Sequence, residues 1–181
     1  KDVVRLCTTL LSSKLVALQS LNLSSIKIPV QGYLGLAAAV SEHGVLRSIS
    51  LADTGLGRTS KGYASKVVEL LTMNPNLQAL DLSWNALDTR SFEKLGQGLV
   101  RHGNMATLGL ASTGLVDDPA IGGSPVLAFL EYLGQDASLT SLDVSGNSLH
   151  EDAPLVLEAA AHRHPTLKHI DLSGNPLGLT G

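Results

Sequence analysis

Cysteine is almost missing from this 181-residue chain. Cys7 stands alone, which excludes a disulfide framework within the chain and a cysteine-rich zinc site, and fits the cytoplasm or another intracellular reducing compartment. Aromatic residues make up only 3% and charged residues 16%, with a net charge of −3. So weak and slightly acidic a balance lacks the clustered Lys and Arg that phosphate backbones require, so no nucleic-acid partner is expected. Long apolar runs are absent too: the wholly apolar stretches last a few residues, against roughly 20 for a membrane-spanning helix. No basic-then-apolar leader opens the sequence, and its first residue is Lys1. What the chain has in excess is leucine, 35 residues in all, about twice ordinary usage.

The leucines are periodic. Leu18 to Ile28 (LQSLNLSSIKI), Leu46 to Leu56 (LRSISLADTGL), Leu77 to Leu87 (LQALDLSWNAL), Met105 to Leu115 (MATLGLASTGL), Leu139 to Leu149 (LTSLDVSGNSL) and Leu167 to Leu177 (LKHIDLSGNPL) align without a gap. All fit L-x-x-L-x-L-x-x-N-x-L with Ile, Val, Met or Thr as the only variants at framework positions, and the starts at 18, 46, 77, 105, 139 and 167 are 28, 31, 28, 34 and 28 residues apart. In each segment the fourth and sixth positions alternate with polar or small ones, the pattern of a short strand with one buried face. Apolar residues then recur at helical spacing: Tyr33, Leu36, Ala37 and Val40; Tyr63, Val67, Leu70 and Leu71; Phe92, Leu95 and Leu99; Phe129, Leu130 and Leu133. Each unit therefore reads as a strand followed by a helix, and stacking is the only way for either to bury its apolar side.

Local punctuation fits this frame. Gly32, Gly62, Ser91 and Ala153 open the helices, where a larger side chain would obstruct packing on the strands. Ser124-Pro125 reads as an N-cap followed by proline at the first helical position. Pro75 and Pro165 stop helices two residues before a strand segment. Residues 1–17 have no strand segment, but Val3, Leu6 and Leu10 keep a helical period and read as the helix of a preceding repeat.

These segments resemble the leucine-rich repeat, over essentially the whole chain. The resemblance implies an α/β solenoid, a horseshoe segment with a concave parallel sheet and helices on its convex side. It implies one domain over 1–181, expected to be an internal piece of a longer array. Units near 28 residues resemble the ribonuclease-inhibitor-like subtype, found in nucleotide-binding leucine-rich-repeat receptors, CARMIL-type scaffolds and Ran GTPase-activating protein. The ninth position runs Ile26, Thr54, Asn85, Thr113, Asn147 and Asn175, with Thr repeats sharing L-A-x-T-G-L and Asn repeats sharing D-[LV]-S-x-N. A buried Asn or Thr there can satisfy backbone groups where the chain leaves the strand; Ile26 cannot.

Candidates for chemistry read better as structure. His162 and His164, with His150 and His169 nearby in sequence, invite a metal, but His43, His102 and His164 fall near helix ends, where a hydrogen-bonding side chain suits exposed carbonyls. Gly122-Gly123-Ser124 lacks the lysine and spacing of a phosphate loop, and Cys7 has no recognisable histidine partner. No group of residues offers a nucleophile, a base and an oxyanion stabiliser together, so neither enzyme activity, metal nor cofactor is expected.

The strand face turned away from the leucines is the remaining candidate. Positions three and five there carry Ser20 and Asn22, Ser48 and Ser50, Ala79 and Asp81, Thr107 and Gly109, Ser141 and Asp143, His169 and Asp171. Asp143 and Asp171 should be neighbours about 4.8 Å apart, a pair that either stays solvated or docks basic groups of a partner. Trp84, the single tryptophan, occupies position eight, where it either anchors a partner or covers small residues beside a shallow dent at Ala79 and Gly109. The longest unit adds a loop at 117–125, which either serves the interface or is tolerated. The expected function is binding of another protein on the concave face through Asn22, Ser50, Asp81, Trp84, Asp143, His169 and Asp171. The resemblance alone also permits GTPase activation of the Ran type or the sensor region of an intracellular nucleotide-binding receptor.

Overall fold

The structure, a computed structural model, describes residues 5, 9, 11, 17–58, 62–114 and 123–178. Strands and helices alternate: β1 (Ser20–Asn22), α1 (Val30–Glu42), β2 (Ser48–Ser50), α2 (Tyr63–Thr72), β3 (Ala79–Asp81), α3 (Thr89–His102), β4 (Thr107–Gly109), α4 (Leu127–Leu133), β5 (Ser141–Asp143), α5 (Ala153–Ala161) and β6 (His169–Asp171). Every strand takes positions three to five of its segment, and all six form one parallel sheet in sequence order. Parallel strands repeat at about 4.8 Å, whereas packed helices need about 8–10 Å. One strand and one helix per coil therefore bend the array, with the sheet on the concave side and the helices on the convex side.

The core explains the leucine excess. In the four central coils, Leu46, Leu77, Met105 and Leu139 at the first position, Ile49, Leu80, Leu108 and Leu142 at the fourth, and Leu51, Leu82, Leu110 and Val144 at the sixth are sealed from solvent. In the outermost coils Leu18, Leu21, Leu167 and Leu172 are only partly buried, and Ile170 is exposed. A slot is thus closed by the coils on either side of it. At roughly 1.5–3 kcal/mol for each fully buried aliphatic side chain, stacking is the main source of stability. The helical residues Leu36, Val40, Val67, Leu71, Phe92, Leu95, Leu99, Phe129, Leu130 and Leu133 close the same core from the convex side.

Several local expectations change. Ser124 caps a tight turn that leads into α4 rather than regular helix itself: its hydroxyl takes the Val126 N–H at 3.4 Å and its carbonyl the Leu127 N–H at 3.0 Å, and regular helix begins at Leu127. The Ser124 hydroxyl also donates to the Asn147 carbonyl of the next coil at 2.7 Å. Gly62 is needed for its backbone, with φ at +83°, and not for room, since a β-carbon there would meet nothing. Asp88 caps α3, taking the Ser91 N–H at 2.9 Å on its carboxylate. Before Ala17, Arg5, Thr9 and Leu11 are helical and Leu11 is buried in the core; Val3, Leu6, Cys7 and Leu10 lie outside the described residues.

The ninth-position side chains work across coils. Asn85 accepts from the Gly55 and Leu56 N–H groups at 3.1 and 2.9 Å and donates to the Leu51 and Leu82 carbonyls, both at 2.8 Å. Asn147 does the same for Thr113 N–H, Gly114 N–H and the Leu110 carbonyl, and Asn175 for Asn147 N–H, Leu149 N–H and the Val144 carbonyl. Each asparagine therefore serves the coil before its own. Thr54 and Thr113 donate to the Leu51 and Ala111 carbonyls, and their own turns are completed by the asparagine that follows. This division of labour is the physical content of the Thr/Asn alternation. Ile26, with no polar atom to offer, is partly exposed.

Candidate interaction surface

Position five does more than face outward. The Asn22, Asp81, Asp143 and Asp171 side-chain oxygens each accept the N–H of the residue two further on, Ser24, Ser83, Ser145 and Ser173, at 2.9 to 3.0 Å. These Asx turns close the chain as it leaves the strand. Gly109 has no side chain for this, and the Ser83 hydroxyl of the preceding coil accepts the Ala111 N–H at 3.1 Å instead. Ser50 bridges its neighbours, bonded to Ser24 Oγ and donating to Asp81 Oδ2, each at 2.8 Å. The D-x-S recurrence in three segments was a visible signal of this role, unread in the sequence because the strand frame treats position five simply as exposed.

Those bonds sort the expected site residues. Asp81 has both oxygens engaged, and it leans over Gly109: a β-carbon at 109 would sit 2.7 Å from Asp81 Oδ1. The expected dent at Gly109 is therefore filled. Asp143 and Asp171 are paired in register, and each uses only Oδ1 for its turn among the described contacts. Hydrogen bonds from Ser173 hold the Asp171 carboxyl below the usual carboxylate range. The exposed Asp171 and the half-buried Asp143 thus stand side by side, each with its second oxygen unengaged among the described contacts. Asn22 and His169 are exposed at opposite ends of the face. His150, His162 and His169 are exposed while His164 is buried, so the four do not form one site. Of the loop at 117–125, residues 117–122 lie outside the described residues.

Comparison with known proteins agrees with this architecture. The Leucine Rich repeat family profile matches residues 74–96 and 163–181, and a second Leucine Rich Repeat profile matches 138–159. The chain is a leucine-rich repeat protein. A Tonsoku-like protein from Danio rerio is 31% identical over 162 residues, covering 88% of this chain; the chain spans only 11% of that relative's length. Among solved structures, the tropomodulin C-terminal domain of Caenorhabditis elegans superposes with a TM-score of 0.66 at 17% identity, covering 88% of this chain and 92% of that one. Actin-binding site 2 of leiomodin-1 gives 0.63 at 13% identity, covering 89% and 88%. At these identities the structural likeness is one of fold.

Position eight of this leucine-rich repeat protein is left-handed in every coil: Ser25, Asp53, Trp84, Ser112, Gly146 and Gly174 have φ between +48° and +67°. A glycine adopts that conformation freely and a bulky side chain does not, which accounts for Gly146 and Gly174 and makes Trp84 anomalous. Its ring does not repay the cost by packing, being 58% exposed. Trp84→Gly is therefore expected to leave the unfolding free energy unchanged or raise it by up to about 1 kcal/mol. A urea midpoint lowered by the equivalent of about 2 kcal/mol would instead identify Trp84 as a packing residue.

Proposed function

We propose that the chain is a non-catalytic protein-interaction module that holds a partner protein against the concave face of its sheet. The observation that carries this reading is the juxtaposition on β5 and β6 of Asp143 and Asp171, each with one carboxylate oxygen left over after closing its turn. Trp84 supports it from the third coil, as a large exposed aromatic held in a backbone conformation that disfavours it. The partner chemistry that fits is Lys or Arg side chains meeting the two carboxylates, with an apolar group against the indole. The matched leiomodin-1 structure is that protein's own actin-binding site, and at 13% identity it supports the use of this fold for protein recognition without naming the partner here.

Affinity capture followed by titration of each captured protein tests the reading. Binding to the chain carrying Asp143→Lys and Asp171→Lys together is expected to weaken at least tenfold, about 1.4 kcal/mol, and Trp84→Gly is expected to weaken the same partners. Lys94→Ala, on the convex side of α3, is expected to leave binding unchanged and serves as the control. Partners retained equally by all these variants would sink the concave-face assignment.

A further inference from the structure

A second row of polar side chains crosses the solenoid on the side where the chain turns into each strand. His43, Asn74, His102, Asp136 and His164 each stand three residues before a strand segment, and all five are buried. The placement at helix ends was legible in the sequence, but the bonds differ from those expected there. His102 Nε2 does meet a carbonyl, that of Asn74, at 2.7 Å. His43 and His164 instead use Nδ1 as an acceptor, taking the Leu46 N–H at 3.0 Å and the Leu167 N–H at 3.1 Å, and His102 Nδ1 takes the Asn104 N–H at 3.3 Å. The other two members fill the same place without an imidazole. Asn74 accepts from Asn76 N–H and donates to the Val40 and His43 carbonyls; Asp136 accepts from Ser138 and Leu139 N–H and from His164 Nε2 at 3.0 Å.

These bonds fix the protonation state of all three rings. A nitrogen that accepts a backbone N–H carries no proton, so each ring is neutral with its proton on Nε2. In His102 and His164 that proton goes to the neighbouring coil, to the Asn74 carbonyl and the Asp136 carboxylate. Protonation at Nδ1 would point a second N–H at the backbone N–H groups leading into β2, β4 and β6. Among the described residues, Glu69, Lys94 and Arg101 line the same surface groove as His102. Asp136 bonds His164 and faces His102, Arg47 reaches Asn76 in the turn beside Asn74, and Glu42, Arg101 and Arg163, which precede the three histidines, are exposed.

We infer that His43, His102 and His164 form an acid-sensitive latch between coils, which holds the turns into alternate strands while the rings are neutral and releases them when the rings take up a proton. Burial pushes the His102 imidazole below the usual histidine range. The sign follows: the unfolded chain takes up this proton near pH ~6.5 while the folded chain resists it, so stability is fully present above that pH and is lost as pH falls from there towards the folded value. The Asn74 carbonyl bonded to His102 and the Asp136 carboxylate facing it both favour the charged ring, and burial outweighs them.

Asn74 supplies the natural control, an amide in the same place that does not titrate. Urea unfolding at pH 7.5 and 5.5 should show the folding constant of the unaltered chain falling about tenfold for each histidine that stays neutral at the lower pH. His102→Asn should remove the largest share of that fall, and the triple change His43→Asn, His102→Asn and His164→Asn should abolish it. An equal fall in the triple variant would overturn the inference. Should the triple variant not fold, nitrogen-resolved NMR of the unaltered chain decides. The inference requires the Nε2–H form of all three rings at pH 7.5 and faster exchange of the Leu46, Asn104 and Leu167 amides, after correction for intrinsic rate, at pH 5.5. An Nδ1–H ring at any of the three, or unchanged protection of those amides, counts against it.

Discussion

Asn85→Ala is expected to lower the unfolding free energy by about 3 kcal/mol, because a single amide serves four backbone groups and removal leaves the two N–H groups without a partner at about 1–3 kcal/mol apiece, less where water reaches, while the two carbonyls lose one bond each and keep a threonine hydroxyl. The groups are Gly55 N–H, Leu56 N–H and the Leu51 and Leu82 carbonyls. Three of those residues, Leu51, Leu56 and Leu82, are fully buried, so solvent cannot take over the lost bonds without opening the stack. Asn85→Thr should recover only part of the loss. The threonine hydroxyl in this place reaches carbonyls, as Thr54 and Thr113 do, and leaves the N–H groups of the preceding coil unanswered. Calorimetry or urea unfolding checks both variants; a loss below about 1 kcal/mol for Asn85→Ala would show that the row is not a principal source of cohesion between coils.

A comparable loss is expected from the smallest substitution available at a neighbouring turn. Gly57→Ala adds one carbon at a residue with φ of +82°, and that carbon would run into the Ala86 carbonyl oxygen of the next coil. The left-handed backbone costs about 1 kcal/mol for alanine relative to glycine. Moving a backbone carbonyl that is tied into the stack, with Ala86 N–H on the Leu56 carbonyl at 2.9 Å, adds about 1–3 kcal/mol more, as overpacking does. Gly55→Ala is the internal comparison: it has φ of +92° but open space around it, so it should lose only the backbone part. Equal urea midpoints for the two variants would show that the contact with Ala86 is relieved without cost.

The strands were legible because their signal is local. Positions four and six are apolar in all six segments, and the strands formed at positions three to five of each. Helix placement was nearly as open to reading, through residues such as Phe92, Leu95 and Leu99, whose spacing alone puts them on one face. Ser124 was legible only in part: Ser-Pro before an apolar run is a sound capping signal and its hydroxyl does take the Val126 N–H, but no local signal announces its donation to Asn147, 23 residues on. Position five misled differently: alternation identifies it as outward-facing, which is correct, and says nothing of the Asx turn that occupies one oxygen of Asp81, Asp143 and Asp171. The candidate surface narrows accordingly, from a row of outward residues to the leftover oxygens of Asp143 and Asp171 and the exposed ring of Trp84.

By itself the sequence determined the repeating unit, the leucine framework, the parallel strand–helix order and the asparagines and threonines at position nine, since each is specified within one coil by a periodicity of a few residues. Only the tertiary structure decided which coil each asparagine serves, which nitrogen of His43, His102 and His164 is protonated, and where an added carbon at Gly57 or Gly109 would go. The physical reason is the same in every case. These properties depend on groups brought together by the packing of one coil on the next or by the turn between helix and strand, and a hydrogen bond or a close contact of that kind is set by stacking geometry, which no periodicity of local sequence contains.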